Sequence, residues 1–170
     1  MANKVSEAQL DQAFAEAFED SFAFRAWVLQ GGRFAHLANE SALLINEQAA
    51  ARNSRVNAWW RWWWCRLPDG SESETDLFFV FQSQAFRFAL HIENKPRHGK
   101  LTFAQAADYR RRAAFMSNDD RWLNYSDFET ILLAPQTFIE ENAASAGQFD
   151  RAITYEDVAA HAPLFEKAID

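Results

Sequence analysis

Residues 86–96 read FRFALHIENKP, and this stretch decides the fold because apolar side chains occupy every second position along it. The apolar positions are Phe86, Phe88, Leu90 and Ile92. Such a period of two is typical of a β-strand with one apolar face. Pro96 ends the strand, since it has no N–H to donate to a neighbour. The other face carries Glu93 and Lys95 two residues apart, so the pattern predicts a core strand that ends in an acid and a base.

The composition indicates one globular domain, spanning residues 1–170. The chain has 170 residues, of which 49% are hydrophobic and 15% are aromatic, enough to bury a sizeable core. The single cysteine, Cys65, excludes an internal disulfide and a cysteine-based zinc site. The first twenty residues are polar and acidic, without the apolar region of a signal peptide. No apolar run approaches the ~20 residues of a membrane span, so we expect a soluble, cytoplasmic protein.

Several elements precede this strand. Apolar residues at spacings of three and four predict an N-terminal helix over 7–30, and a second helix is expected over 36–51. The aromatic segment 57–66 reads as a strand. A Pro-Asp-Gly-Ser turn joins it to a strand over 74–82, so the two form a hairpin.

The elements after the strand complete an α/β pattern. Thr102 opens a helix with a capping-box sequence, 128–134 reads as a buried strand, and 152–153 adds a short strand. A C-terminal helix is expected over about 155–169. The predicted order is α-α-β-β-β-α-β-(β)-α, a mixed sheet flanked by helices.

Three charged residues point to a chemistry. Asp76 lies on the strand before Glu93 and Lys95. Carboxylates on neighbouring strands can form an oxygen-rich pocket suited to Mg²⁺. A lysine beside such a pocket can orient water or stabilise negative charge that develops at phosphorus. Two metal-binding carboxylates and a lysine are the minimum set of groups for hydrolysis of a phosphodiester bond.

The spacing of these residues resembles that of the PD-(D/E)XK nuclease superfamily, which has the restriction-endonuclease-like fold. Asp76 is followed seventeen residues later by Glu93-Asn94-Lys95, although Thr75 replaces the proline of the family motif. Gln105 and Tyr109 on the next helix are similar to the Gln-x-x-x-Tyr motif of the recombination and exonuclease branch. The family's core order, α-β-β-β-α-β, fits residues 36–134.

The resemblance implies a Mg²⁺-dependent deoxyribonuclease in which Mn²⁺ substitutes for Mg²⁺. Asp76, Glu93 and the backbone carbonyl of Asn94 would bind metal, and Lys95 would be the catalytic lysine. The helical acid of the family would be Glu40, with Glu47 as the competing candidate. The supporting or DNA-contacting residues would be Gln105, Tyr109, Arg97, Lys100 and Arg110.

Simpler interpretations remain open at this point. Glu93 and Lys95 can be a solvated ion pair worth ~0–1 kcal/mol. Gln105 can complete a capping box with Thr102. His91 can be structural or can support the site. The alternative function is a catalytically inactive nucleic-acid-binding or assembly module on the same fold.

Charge and aromatic clustering bear on partners. The net charge is −7, yet residues 87–121 hold eight Lys or Arg and four acids, a local net charge of +4 against −11 elsewhere. We expect this stretch to form one basic surface beside the site and to bind DNA. Alternation along 59–64 would place Trp60, Trp62 and Trp64 on one face and Trp59 and Trp63 on the other. Both faces would then be covered, by helices or by a second subunit, and the tryptophans suggest a homodimer.

Overall fold

A mixed five-stranded sheet flanked by helices organises the chain. The computed structural model describes residues 5–52 and 58–170. The sheet has the order β1-β4-β5-β6-β7, in which β1, β4 and β5 pair antiparallel and β5, β6 and β7 pair parallel. Strands β2 and β3 form a separate antiparallel pair. The predicted α/β class with a mixed sheet is confirmed.

The elements follow one another in this order along the chain. The strands are β1 Ala42–Leu43, β2 Trp63–Arg66, β3 Glu72–Thr75, β4 Leu77–Gln82, β5 Arg87–Asn94, β6 Asp127–Ala134 and β7 Arg151–Thr154. The α-helices are α1 Glu7–Asp20, α2 Phe22–Gln30, α3 Ile45–Ala51, α4 Phe103–Met116, α5 Gln136–Glu141, α6 Ala143–Ala146 and α7 Tyr155–Val158. Short 3₁₀ helices cover Ala35–Leu37, Asp120–Trp122 and Pro163–Ala168. No helix within the described ranges is both long enough and apolar enough to cross a membrane.

Strand β5 is the centre of the sheet, and both of its faces are buried. Phe88, Leu90 and Ile92 pack with α1 and α2 in the main core, as their alternation predicts. On the other face, the β2–β3 hairpin and α4 lie over the strand, so His91 and Glu93 are also buried. The sequence pattern alone does not reveal that these elements pack over the second face of β5. Their packing places His91 and Glu93 in a poorly solvated environment.

The predicted strand over 74–82 is two strands. Residues up to Thr75 pair with β2, whereas residues from Leu77 pair with β5, and the chain bends at Asp76 between them. The strand predicted over 57–66 is only Trp63–Arg66 in the structure. Trp62 adopts a left-handed φ of 62°, which interrupts the extended backbone before β2. Residue 57 lies outside the described residues.

Three predicted helices are shorter than their sequence patterns suggest. Ser21 divides 7–30, since its side chain accepts a hydrogen bond from the N–H of Phe24 and caps α2. Segment 36–51 becomes a 3₁₀ turn, β1 and α3, because Ala42 and Leu43 extend to pair with the end of β4. The C-terminal helix stops early, since Pro163 requires extended backbone at Ala162.

The tryptophans do not alternate between two covered faces. Trp59, Trp60 and Trp63 are buried, whereas Trp62 is 41% and Trp64 is 52% exposed. The reason is that only Trp63 and Trp64 belong to the strand, while the residues before them lie in turns. The expected homodimer stays a prediction.

Candidate active site

A cleft of about 550 Å³ opens where β5 ends, between the β2–β3 hairpin and the start of α4. It is lined by Glu72, Ser73, Glu74, Asp76, Glu93, Lys95, Thr102, Ala104, Gln105, Asp108, Tyr109 and Arg112. Five residues selected from the sequence motifs, which lie up to 33 positions apart in the chain, therefore line one cavity. They are Asp76, Glu93, Lys95, Gln105 and Tyr109.

Asp76 is held at the bend between β3 and β4. Its Oδ2 accepts a hydrogen bond of 2.9 Å from the backbone N–H of Asn94, at the end of β5. Its own N–H donates to the hydroxyl of Tyr109 at 3.4 Å. Because Asp76 belongs to neither strand ladder, its backbone is free to turn the carboxylate toward the cleft.

Glu93 and Lys95 form a direct ion pair within the cleft, and the two side chains are only 3% and 13% exposed. The interpretation as a solvated surface pair is therefore wrong. Burial lowers the pKa of Lys95, but the carboxylates of Glu93 and Asp76 outweigh it and raise that pKa above its ordinary value. The ammonium thus stays charged next to Glu93.

Gln105 contributes its backbone to the helix cap and its side chain to the cleft. Its N–H donates to Thr102 Oγ1 at 3.1 Å, which is the N-cap bond of α4. Its Nε2 donates instead to Glu93 Oε1 at 3.1 Å. The reciprocal half of a capping box is thus replaced by a contact with the predicted metal ligand. Tyr109, four residues later on the same helix face, is fully buried.

Two further acids approach the same point from α1, and the sequence patterns did not reveal them. Asp11 Oδ1 accepts a 2.7 Å hydrogen bond from Asn94 Nδ2, and Glu7 lies one helical turn earlier. Burial raises the pKa of Asp11 to about 7, with Glu7 and Glu93 adding repulsion. One signal was available: Asp11 directly follows the core residue Leu10, within the buried side of the helix.

The same accumulation of negative charge acts on Asp76. Burial, followed by the charges of Glu93 and Asp11, raises the pKa of Asp76 well above its ordinary value. Burial also raises the pKa of Glu7, against the opposing effect of Lys95. Four carboxyl groups therefore influence one another around a single lysine, which leaves an excess of negative charge that a divalent cation would relieve.

The two acids that the resemblance suggested for the helical position lie elsewhere. Glu40 is exposed and precedes β1, which pairs with Phe81 and Gln82 at the far end of β4 from Asp76. At ~3.3 Å per residue, that separation is roughly 17 Å. Glu47 is exposed on α3. Neither residue lines the cleft, because the segment expected to be one helix divides to reach the sheet edge.

Behind the cleft, a chain of buried hydrogen bonds connects α4 to the sheet. His91 Nδ1 lies 3.0 Å from Thr75 Oγ1, and His91 Nε2 lies 3.0 Å from the hydroxyl of Tyr125. That hydroxyl donates to the carbonyl of Ala113 at 2.5 Å, so it accepts from His91 Nε2–H. Burial, reinforced by the charge of Arg112, lowers the pKa of His91 well below its ordinary value. His91 is therefore neutral and anchors Thr75, the residue before Asp76.

The basic stretch 87–121 does not form one positive surface, because acids pair with five of its eight Lys and Arg residues, and three of these five pair with acids from other segments. Arg97 pairs with Glu141, Arg110 pairs with Asp150, and Arg111 pairs with both Asp69 and Asp108. Arg121 pairs with Asp119. The expected basic patch was thus wrong, since counting charges along the chain omits the partners that folding brings to them. Lys100 is exposed near the start of α4.

Within residues 5–52 and 58–170, no group of three or more His, Cys, Asp or Glu side chains is arranged to hold a metal ion. The oxygen donors of Asp76 and Glu93 nevertheless have the chemistry that Mg²⁺ prefers. Comparison with known proteins gave no significant match to a family model, a curated protein or a solved structure.

Proposed function

We propose that the protein is a metal-dependent nuclease that hydrolyses DNA phosphodiester bonds. The observation that carries the proposal is the convergence of Asp76, Glu93 and Lys95 in one cleft, with Gln105 bonded to Glu93. Asp76, Glu93 and Lys95 were selected from the strand pattern together with the resemblance to the nuclease superfamily, and Gln105 was selected from that resemblance. Their meeting in one cavity is what a PD-(D/E)XK site requires.

Each residue of the cleft has a defined role in this proposal. Asp76, Glu93 and the backbone carbonyl of Asn94 would hold Mg²⁺, which supplies a Lewis acid and a bound water of lowered pKa. Lys95 keeps a positive charge beside Glu93 and orients the attacking water. Gln105 fixes the Glu93 carboxylate, and the Tyr109 hydroxyl fixes the backbone at Asp76. Glu7 or Asp11 on α1 takes the place that Glu40 was expected to have.

The fold supports the proposal at the level of the central elements. In sequence, β4, β5, α4 and β6 form an antiparallel pair, a helical connection and a parallel strand. This agrees with the β-β-α-β part of the restriction-endonuclease-like core. The departures are β2, which pairs outside the main sheet, and the segment 36–51, which is largely not helical.

Cleavage and metal binding are best tested together. Wild-type protein should nick a plasmid or degrade a labelled oligonucleotide in Mg²⁺ or Mn²⁺ and should be inactive in EDTA. Asp76→Asn should lose both the cleavage and the rise in melting temperature that Mg²⁺ produces. Asp20→Asn is the matched control, because this acid is exposed at the end of α1, away from the cleft; it should retain both properties.

The outcomes separate the nuclease from an inactive module. A wild-type protein that Mg²⁺ and Mn²⁺ do not stabilise, and that cleaves nothing, would favour the alternative of a nucleic-acid-binding or assembly module. Cleavage that survives Asp76→Asn at the wild-type rate would contradict the assignment of the site.

A further inference from the structure

Arg112 is a buried cation for which residues 5–52 and 58–170 supply no carboxylate partner, which is uncommon in a protein interior. The residue is 1% exposed, and it is one of the residues that line the cleft together with Asp76 and Glu93. Among the ion pairs of the described residues, none includes Arg112, whereas its neighbours Arg110 and Arg111 are both paired on the exposed side of α4. The buried arginine of this triplet therefore differs from the other two.

The nitrogens of Arg112 show which part of the guanidinium is free. Nε donates to Thr75 Oγ1 at 2.9 Å, and Nη1 donates to the hydroxyl of Ser73. The guanidinium carbon lies 4.0 Å from the ring centroid of Tyr109, so the group is also stacked. Nη2 is buried and has no hydrogen-bond acceptor among residues 5–52 and 58–170.

The chain of hydrogen bonds behind the cleft holds this arrangement in place. Since the hydroxyl of Tyr125 donates to Ala113, it accepts from His91 Nε2–H, and His91 Nδ1 is the nitrogen that contacts Thr75 Oγ1. The Thr75 oxygen is then left to accept from Arg112 Nε. The chain starts at Arg112 on α4 and returns to α4 at the carbonyl of Ala113. A small rotation of the guanidinium therefore cannot satisfy Nη2 without breaking the bonds made by Nε and Nη1.

An unpaired buried guanidinium is costly unless a ligand supplies the missing negative charge. Guanidinium groups bind phosphate through charge-assisted hydrogen bonds of defined geometry. We propose that Arg112 is the phosphate-binding residue of the cleft and receives a phosphate group of a nucleotide substrate on Nη2, which the side chains around it must uncover for the contact to form. The inference rests on the proposed nuclease function and specifies how that site holds its substrate.

Thymidine 5′-monophosphate is a suitable probe, because it has a phosphate group but no internucleotide bond to cleave. Thymidine, which lacks only the phosphate, is the control ligand. Both are titrated into the full-length wild-type protein with Mg²⁺ present, since the carboxylates around the cleft repel an anion. Nitrogen-15 NMR follows the Arg112 side chain, whose buried N–H groups exchange slowly with water. The monophosphate should shift the Arg112 signals in a saturable manner, and thymidine should not.

Variants test the same contact by affinity. Arg112→Lys keeps a positive charge but removes Nη2, and it should weaken binding of the monophosphate by about tenfold or more, as expected for loss of a charge-assisted hydrogen bond. In cleavage assays KM should rise by a similar factor. Arg111→Lys is the matched control on the exposed side of the helix and should bind the monophosphate as the wild type does.

Each result has one meaning. Monophosphate binding that leaves the Arg112 signals of the wild type unchanged, or no binding at millimolar concentration, would overturn the assignment of Arg112 even if Arg112→Lys did not fold. DNA cleavage together with an unperturbed Arg112 would contradict only this inference. Conversely, monophosphate binding through Arg112 in a protein that cleaves no DNA would support the phosphate site and contradict the nuclease.

Discussion

Replacing Lys95 by alanine tests the electrostatic balance of the cleft. Its ammonium is paired with Glu93, and both side chains are largely buried. Removing the lysine leaves the Glu93 carboxylate buried, close enough to Asp76 and Asp11 that their charges interact. Breaking a buried ion pair by removing one partner costs about 3–5 kcal/mol. We expect about 3 kcal/mol, since Gln105 continues to donate to Glu93.

The same substitution should make the protein more dependent on metal. A divalent cation would supply the positive charge that the lysine no longer provides, so Mg²⁺ should stabilise Lys95→Ala more than it stabilises the wild type. Cleavage should nevertheless fall by on the order of 10²–10³, because the ammonium that stabilises charge at phosphorus is gone. Metal binding and catalysis are thereby separated in one variant.

Urea unfolding in EDTA and in Mg²⁺, together with the cleavage rate in Mg²⁺, measures these quantities. Lys167→Ala provides a matched control, because this lysine is exposed near the C-terminus, and its removal should change stability by less than ~0.5 kcal/mol. A Lys95→Ala protein as stable as the wild type in EDTA would refute the electrostatic reasoning. Cleavage by that variant at the wild-type rate would refute its catalytic role.

Three further predictions concern pH, the sheet edge and salt. Folding raises the pKa of Asp11 from 3.8 to about 7, so the folded metal-free protein binds a proton that the unfolded chain releases. Its stability should therefore fall as the pH rises from about 4 to 7. Asp11→Asn should flatten this dependence in urea unfolding measured at several pH values in EDTA. The fully buried side chain of Gln48 donates a hydrogen bond to the carbonyl of Phe78 and accepts one from the N–H of Val80 on β4. Gln48→Leu should therefore lower the free energy of unfolding, measured by urea unfolding, by about 2–4 kcal/mol. Gln30→Leu, at an exposed position, should change it very little. Most arginines are paired with acids, so few of them are available to contact DNA phosphates. Fluorescence anisotropy in Ca²⁺ should therefore give a plot of the logarithm of the DNA association constant against the logarithm of salt concentration with a slope of only about −1 to −3. A much steeper slope would contradict the pairing.

The local elements of the centre of the fold are encoded in short stretches of sequence. The alternation through 86–92, the Pro-Asp-Gly-Ser turn and the Thr102 cap each depend on neighbouring residues, and the structure contains a strand, a turn and a helix N-terminus at those places. The motif residues Asp76, Glu93 and Lys95 were found from the strand pattern and the resemblance to the nuclease superfamily, and Gln105 was found from that resemblance. Strand periodicity places their side chains relative to one another over a few residues, which is enough to nominate a site.

Features that depend on contacts distant in sequence were decided by the tertiary structure. The burial of Glu93 follows from α4 and the hairpin packing over β5, and the acids of α1 reach the cleft because Asn94 bonds Asp11 across 83 positions of the chain. Arg110 and Arg112 belong to one run of three arginines, yet Arg112 is buried beside Thr75 and Arg110 is neutralised by Asp150. A local pattern shows which face a side chain occupies, but its solvation and its charge partners depend on what the rest of the chain places against that face.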